Sequence, residues 1–191
     1  MKTVICDEAG LAETAAVLNA GGVAVIPTDT VYGFAARPDC PAAVERLYSM
    51  KGRDPGKPVA LLAAGFEEAE RFLGGGLPAA AGEIARRHWP GALTLVLPKC
   101  GEDGVYEGLR MPAHDWTRRL IAACGGVLRV TSANASGGDP ALDAASAVAA
   151  AGDSADIAAD GGVSPGGVAS TVAKCDGNGA ISILRQGPVA L

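Results

Sequence analysis

The chain has 191 residues and a formal net charge of -5, with 49% hydrophobic and 19% charged residues. That length suits one domain with an ordinary core, expected over residues 1–191. The acidic balance excludes a protein whose main role is to coat nucleic acid. Aromatics at 4% leave the core to Ala, Val, Leu and Ile. No apolar run approaches the length of a membrane span, and the N-terminal MKTVICDEAG turns acidic where a signal peptide needs an apolar stretch. Cys6, Cys40, Cys100, Cys124 and Cys175 form no C-x-x-C pair, and the only histidines are His88 and His114. The pattern predicts free thiols in a reducing cytoplasm and no metal site.

Asp7 or Glu8 opens a first helix over LAETAAVLNA, closed by Gly21-Gly22, and Val23–Ile26 reads as a buried strand stopped by Pro27. Asp39 and Pro41 start a helix with Val44, Leu47 and Tyr48 on one face. A loop with three cations follows, and then PVALLAA as a strand. EEAERFL and AAAGEIARRHW read as helices, LTLVLPK and the GLRMP region as strands. Asp115 caps a helix over WTRRLIAAC, and VLRVT is a strand ending at Ser132. Asp143 caps an Ala-rich helix, DIAAD is a short strand, and ASTVAK with AISILR form a closing pair. Helices and strands alternate throughout, so the class is α/β (α+β) with one mixed sheet.

The cations are unevenly placed. From Gly137 to Leu184 there are six Asp and only Lys174, whereas Lys51, Arg53 and Lys57 crowd one Gly/Pro-rich loop. A single loop cation is ordinarily a solvated charge, and three together raise the alternative of an anion site. Polar clusters also follow two apolar strands, as Pro27-Thr28-Asp29-Thr30 and Thr131-Ser132-Ala133-Asn134, where α/β sheets bind ligands. Each residue alone is more commonly a turn former. Gly56-Lys57 is not a P-loop, because Lys51 stands where its first glycine belongs and Pro58 replaces Ser or Thr. Any phosphate would be held by side-chain charge and by Gly-rich backbone, with GGVSPGG (161–167) a candidate. As loop residues, Lys51 and Arg53 are expected to be removable without unfolding the protein.

Six ordered motifs carry a resemblance: PTDTVYGF (27–34), the Lys51-Gly52-Arg53 loop with its Lys57-Pro58, WPGALTLVL (89–97), LRMPAH (109–114), TSANASG (131–137) and ASTV (169–172). Together they span nearly the whole chain, which resembles the YrdC/TsaC family of L-threonylcarbamoyladenylate synthases in its short, single-domain form. The family's K-x-R and S-x-N signature is met by Lys51, Arg53, Ser132 and Asn134. The resemblance implies a YrdC-like twisted mixed sheet with a concave positive cavity. It implies condensation of L-threonine, bicarbonate and ATP to threonylcarbamoyl-AMP and pyrophosphate, with Mg2+ carried on the nucleotide. It implies catalytic Lys51 and Arg53; ATP bound by Arg53, Lys57, Ser132, Asn134 and Arg185; and threonine bound by Thr30, Arg110, the Val130 backbone and Ser170. It also implies downstream tRNA threonylcarbamoyl-transfer proteins as partners and leaves a weak tRNA contact open. Departures at Asp54, Leu62, Ala92, Glu107-Gly108 and Ala169 fall mainly on the threonine side.

A carbamate must attack the α-phosphate of ATP, and two anions repel, so the chemistry asks for positioning and charge neutralisation. No nucleophile is evident, and Asp29 is more readily a loop-bonding residue than a base. An RNA-binding module would need phosphate contacts over a longer surface than this compact loop. A carbamoyl-transfer domain of the kind fused into hydrogenase-maturation proteins would belong to a much longer, zinc-containing chain.

Overall fold

The computed structural model describes residues 1–52, 54 and 56–191. Among these, ten strands form one mixed sheet. In chain order the elements are β1 (Lys2–Ile5), α1 (Glu8–Asn19), β2 (Ala24–Ile26), β3 (Gly33–Ala36), α2 (Pro41–Lys51), β4 (Leu61–Ala63), α3 (Phe66–Leu73) and α4 (Ala79–His88). There follow β5 (Leu93–Pro98), β6 (Tyr106–Arg110), α5 (Asp115–Ala123), β7 (Val127–Ser132), α6 (Ala144–Ala151), β8 (Ile157–Asp160), β9 (Thr171–Cys175) and β10 (Ile181–Arg185). The sheet order is β1-β8-β2-β3-β7-β4-β6-β5-β9-β10.

Local chemistry sets the ends of the helices. The Asp7 carboxylate accepts from Gly10 N at the start of α1, and Asp143 does the same for Ser146 N at α6. The helix after LRMPAH differs from expectation. His114, whose Nδ1 accepts from Thr117 N, is its cap, while Asp115 is its first residue and pairs with Arg118. At the C-terminus of α2, Gly52 adopts φ 57°, a left-handed conformation that turns the chain out of the helix.

Strand alternation divides the sheet into two faces. Val23, Val25, Phe34, Leu47 and Ala147 pack in one cluster on the side of α2 and α6, and Leu61, Leu93, Leu95, Leu109 and Ala173 form a separate cluster beneath α3 and α4. On the other face α1 and α5 cover Ala24, Ile26, Ala35, Leu128 and Ile157. That second layer ends near Leu62 and Val130. Beyond it, alternate residues of β5, β6 and β9 line an open cleft: Thr94 and Val96, Tyr106, Gly108 and Arg110, and Val172.

Candidate active site

The cleft has a volume of about 570 Å3. Its described lining includes Lys51, Arg110 and Arg185 and no Asp or Glu, so it is an electropositive hollow in an acidic protein. Of the sites expected from sequence, Thr30, Lys51, Arg110, Val130, Ser132, Asn134, Ser170 and Arg185 all line it. Arg53 lies outside the described residues. Lys57 is exposed and does not line the cleft, although its neighbour Pro58 does.

Lys51 differs most from the picture of a loop cation. It is the last residue of α2, buried at 6% exposure, and its Nζ donates toward four oxygens. These are Ser132 Oγ at 2.8 Å and its carbonyl at 3.0 Å, with Asn134 Oδ1 at 2.7 Å and its carbonyl at 3.3 Å. The lysine of K-x-R thus meets both polar residues of S-x-N in space, and it ties the turn after β7 to the end of α2. Asn134 in turn donates Nδ2 to the carbonyls of Ala135 (2.8 Å) and Gly138 (2.6 Å), closing the loop beside the cleft.

The opposite wall is built around Arg110 at the end of β6, with 6% exposure. Its Nε donates to Gly91 O at 2.9 Å, Nη1 to Thr30 Oγ1 at 2.8 Å and Nη2 to Asp29 Oδ1 at 2.5 Å. Burial lowers the Arg110 pKa from its usual value, and the Asp29 carboxylate opposes that. Three of the five guanidinium N–H groups have these acceptors, which leaves one on each terminal nitrogen. Thr28 Oγ1 donates to Val31 O at 2.6 Å, so the 3.0 Å contact between the Thr28 and Thr30 hydroxyls is donated by Thr30. Thr30 therefore offers the cleft an acceptor only.

At the far end, Arg185 donates Nε and Nη2 to Ser170 O (3.1 and 2.8 Å), and Ser170 Oγ lies 2.8 Å from Thr94 Oγ1. The N–H of Val130 donates to Ala60 O, so a backbone contact there would use its carbonyl. Thr94 was not singled out from sequence. The signal was the alternation of LTLVLP, which sets Thr94 and Val96 on the face opposite Leu93 and Leu95.

The GGVSPGG loop is not among the residues lining the cleft. It backs the Thr28–Thr30 turn instead: Ser164 Oγ donates to Thr28 O at 3.0 Å and Gly167 N to Thr30 O at 3.0 Å. Trp89 is a core residue, its Nε1 donating to Leu93 O. A second depression of about 700 Å3 holds Ile5, Cys6, His114 and Asp160 and carries no Lys or Arg. Burial, then Asp160 and Asp7, push the Cys6 thiol up to about 12, which removes it as a nucleophile at neutral pH.

The profile of the Sua5/YciO/YrdC family, described as telomere recombination, matches residues 16–187. The chain belongs to this family. A putative threonylcarbamoyl-AMP synthase of Mycobacterium tuberculosis is 35% identical to this family member over 188 residues, 95% of this chain and 85% of its own. The threonylcarbamoyl-AMP synthase of Bacillus subtilis is 39% identical over 176 residues, 86% of this chain and 50% of its own. Sua5 of Pyrococcus abyssi, solved in complex with L-threonine, superposes with a TM-score of 0.87 at 31% identity. The match covers 97% of this chain and 57% of that one. Escherichia coli YciO, at 20% identity and a TM-score of 0.85, shares the fold. Among the described residues no helix is long and apolar enough to cross a membrane.

Proposed function

We propose that this family member is an L-threonylcarbamoyl-AMP synthase, a nucleotidyltransferase that converts L-threonine, bicarbonate and ATP to threonylcarbamoyl-AMP and pyrophosphate. The observation that carries the reading is a cleft whose described lining has three cations and no carboxylate, set in a chain of net charge -5. The names of its relatives and the threonine bound to one of them support the choice of substrates.

In this reading the two walls take different substrates. Arg110 presents its two remaining N–H groups to the threonine carboxylate, and the Thr30 hydroxyl accepts from the nitrogen. Ser170 and the Val130 carbonyl complete that side. Ser132 and Arg185 face the nucleotide phosphates, and the family signature alone assigns Arg53 to the same task. Lys51 and Asn134 hold the β7 turn in the shape the nucleotide needs. Bicarbonate, on taking a proton, loses water to give CO2, the deprotonated threonine amine adds to its carbon, and the nitrogen releases a proton to solvent. The resulting carbamate oxygen attacks the α-phosphorus, the bond to the bridging β-phosphate oxygen breaks, and pyrophosphate leaves with both its electrons. The protein supplies alignment and counter-charge for that in-line exchange. The described lining offers no carboxylate to ligate a cation, so Mg2+ would be held by the triphosphate. The adenylate, a mixed anhydride, would then be consumed by a tRNA threonylcarbamoyl-transfer system.

The test is pyrophosphate release from ATP by the purified protein without RNA. Release that requires both threonine and bicarbonate is the expected result. Release that needs RNA, or proceeds without threonine, overturns the reading.

A further inference from the structure

Arg110 is held by three acceptors, and only one of them, Asp29, is charged. The Asp29 carboxylate and the Arg110 guanidinium are 12% and 7% exposed, and Asp29 does not line the cleft. It stands behind the arginine. The guanidinium is a rigid planar fork, so the acceptors that fix its plane also fix where its remaining N–H groups point.

Asp29 is itself fixed from behind. A side chain on Gly166 would place Cβ 2.6 Å from Asp29 O and 2.9 Å from Thr30 Cα, inside contact distance. Gly166 therefore allows the loop to press against the segment that carries two of the three Arg110 partners. Gly167 N and Ser164 Oγ pin the carbonyls of Thr30 and Thr28 on the same side.

We propose that Asp29, backed by Gly166, is a positioning residue that sets the Arg110 guanidinium for the carboxylate of the amino-acid substrate. The inference rests on the synthase reading and on Arg110 as the carboxylate partner. Asp29 offers nothing to ATP, so its loss should act on one substrate alone. Asp29→Asn keeps the shape and an acceptor oxygen but removes the charge. Gly166→Ala leaves Asp29 intact and shifts it together with Thr30.

The experiment is isothermal titration of wild type, Asp29→Asn, Gly166→Ala and Arg110→Lys with L-threonine and, separately, with ATP, beside steady-state pyrophosphate release. Thermal melts confirm that each variant is folded. Partners that orient metal-binding side chains are worth roughly ten- to a hundredfold, and on that scale both Asp29→Asn and Gly166→Ala should weaken threonine by about tenfold or more. ATP affinity should change by less than about twofold, a split that a general loosening of the fold would not produce. In the Arg110→Lys background, Asp29→Asn should cost little more, because the two residues act as one unit. Equal losses for both substrates, full additivity with Arg110→Lys, or unchanged threonine affinity would overturn the proposal while leaving the synthase reading standing. Wild type that binds ATP but not threonine would overturn both.

Discussion

Replacing Lys51 with methionine would keep most of the side-chain stem and remove the donor shared by Ser132 and Asn134. The expectation that this lysine is a loop cation is corrected by its burial at the end of α2, and its loss leaves polar oxygens of the β7 turn without their donor. That costs about 1–3 kcal/mol, and Lys51→Met should melt at lower temperature than wild type as well as losing activity. Pyrophosphate release should fall roughly a hundredfold, the scale of a misplaced binding group, because the turn that carries Ser132 loses its tie. Near-normal turnover would show that the β7 turn keeps its shape without Lys51. Burial holds the His114 imidazole below its usual pKa of 6.5, partly opposed by Asp29 and Asp115. The unfolded chain takes up that proton first as pH falls, so the contribution is complete above about 6.5 and lost as pH drops through the folded value. His114→Gln should flatten the fall of melting temperature as pH drops below about 6.5, relative to wild type. Parallel curves would place the titration elsewhere.

At the scale of elements, β6 gives the sharpest test. Gly108 lies on the cleft floor between Arg110 and Tyr106, and an added Cβ would meet Ala60 Cβ at 3.4 Å and Thr94 Cγ2 at 3.6 Å, ordinary contacts. Gly108→Val should therefore be accepted by the strand while its methyls fill the cleft. Melting temperature should hold or rise, and titration should show weakened binding of threonine or ATP. Undiminished binding of both would show that the floor of the cleft is not used. Strands and helices with strong periodicity, such as α1, β5 and β7, were legible in the sequence, as was the β9–β10 pair. β3 was not, because GFAA follows directly on a turn-rich PTDTVY and has neither length nor alternation. β1 was missed for the same reason, four residues with only Val4 buried. The polar ends of β2 and β7 pointed to the site. That α2 would deliver Lys51 to the Ser132 turn depends on sheet order, which no local pattern carries. The GGVSPGG loop has a phosphate binder's composition, and its place behind Thr28–Thr30 became visible only with the packing of Gly166.

On the whole molecule, a net charge of -5 surrounds a cleft whose described charges are all positive. Attraction of a polyanion into such a hollow is screened by salt, with a Debye length falling from about 10 Å at 0.1 M to about 3 Å at 1 M. ATP affinity measured by titration should drop steeply between these ionic strengths, while threonine, a zwitterion gripped at short range by Arg110, should change much less. Parallel losses would argue against an electrostatic nucleotide wall. The two-sided sheet has one further consequence. Along β5, β6 and β9 neighbouring residues answer to different demands: Leu93, Leu95, Leu97, Leu109 and Ala173 pack under helices, and Thr94, Val96, Gly108, Arg110 and Val172 face the hollow. A saturation-mutagenesis library scored separately for cellular abundance and for catalytic output should therefore beat with a period of two along these strands. Abundance should be lost at the first set and output alone at most of the second, so the chain can be retuned toward other amino acids one residue at a time without disturbing the neighbour that keeps it folded.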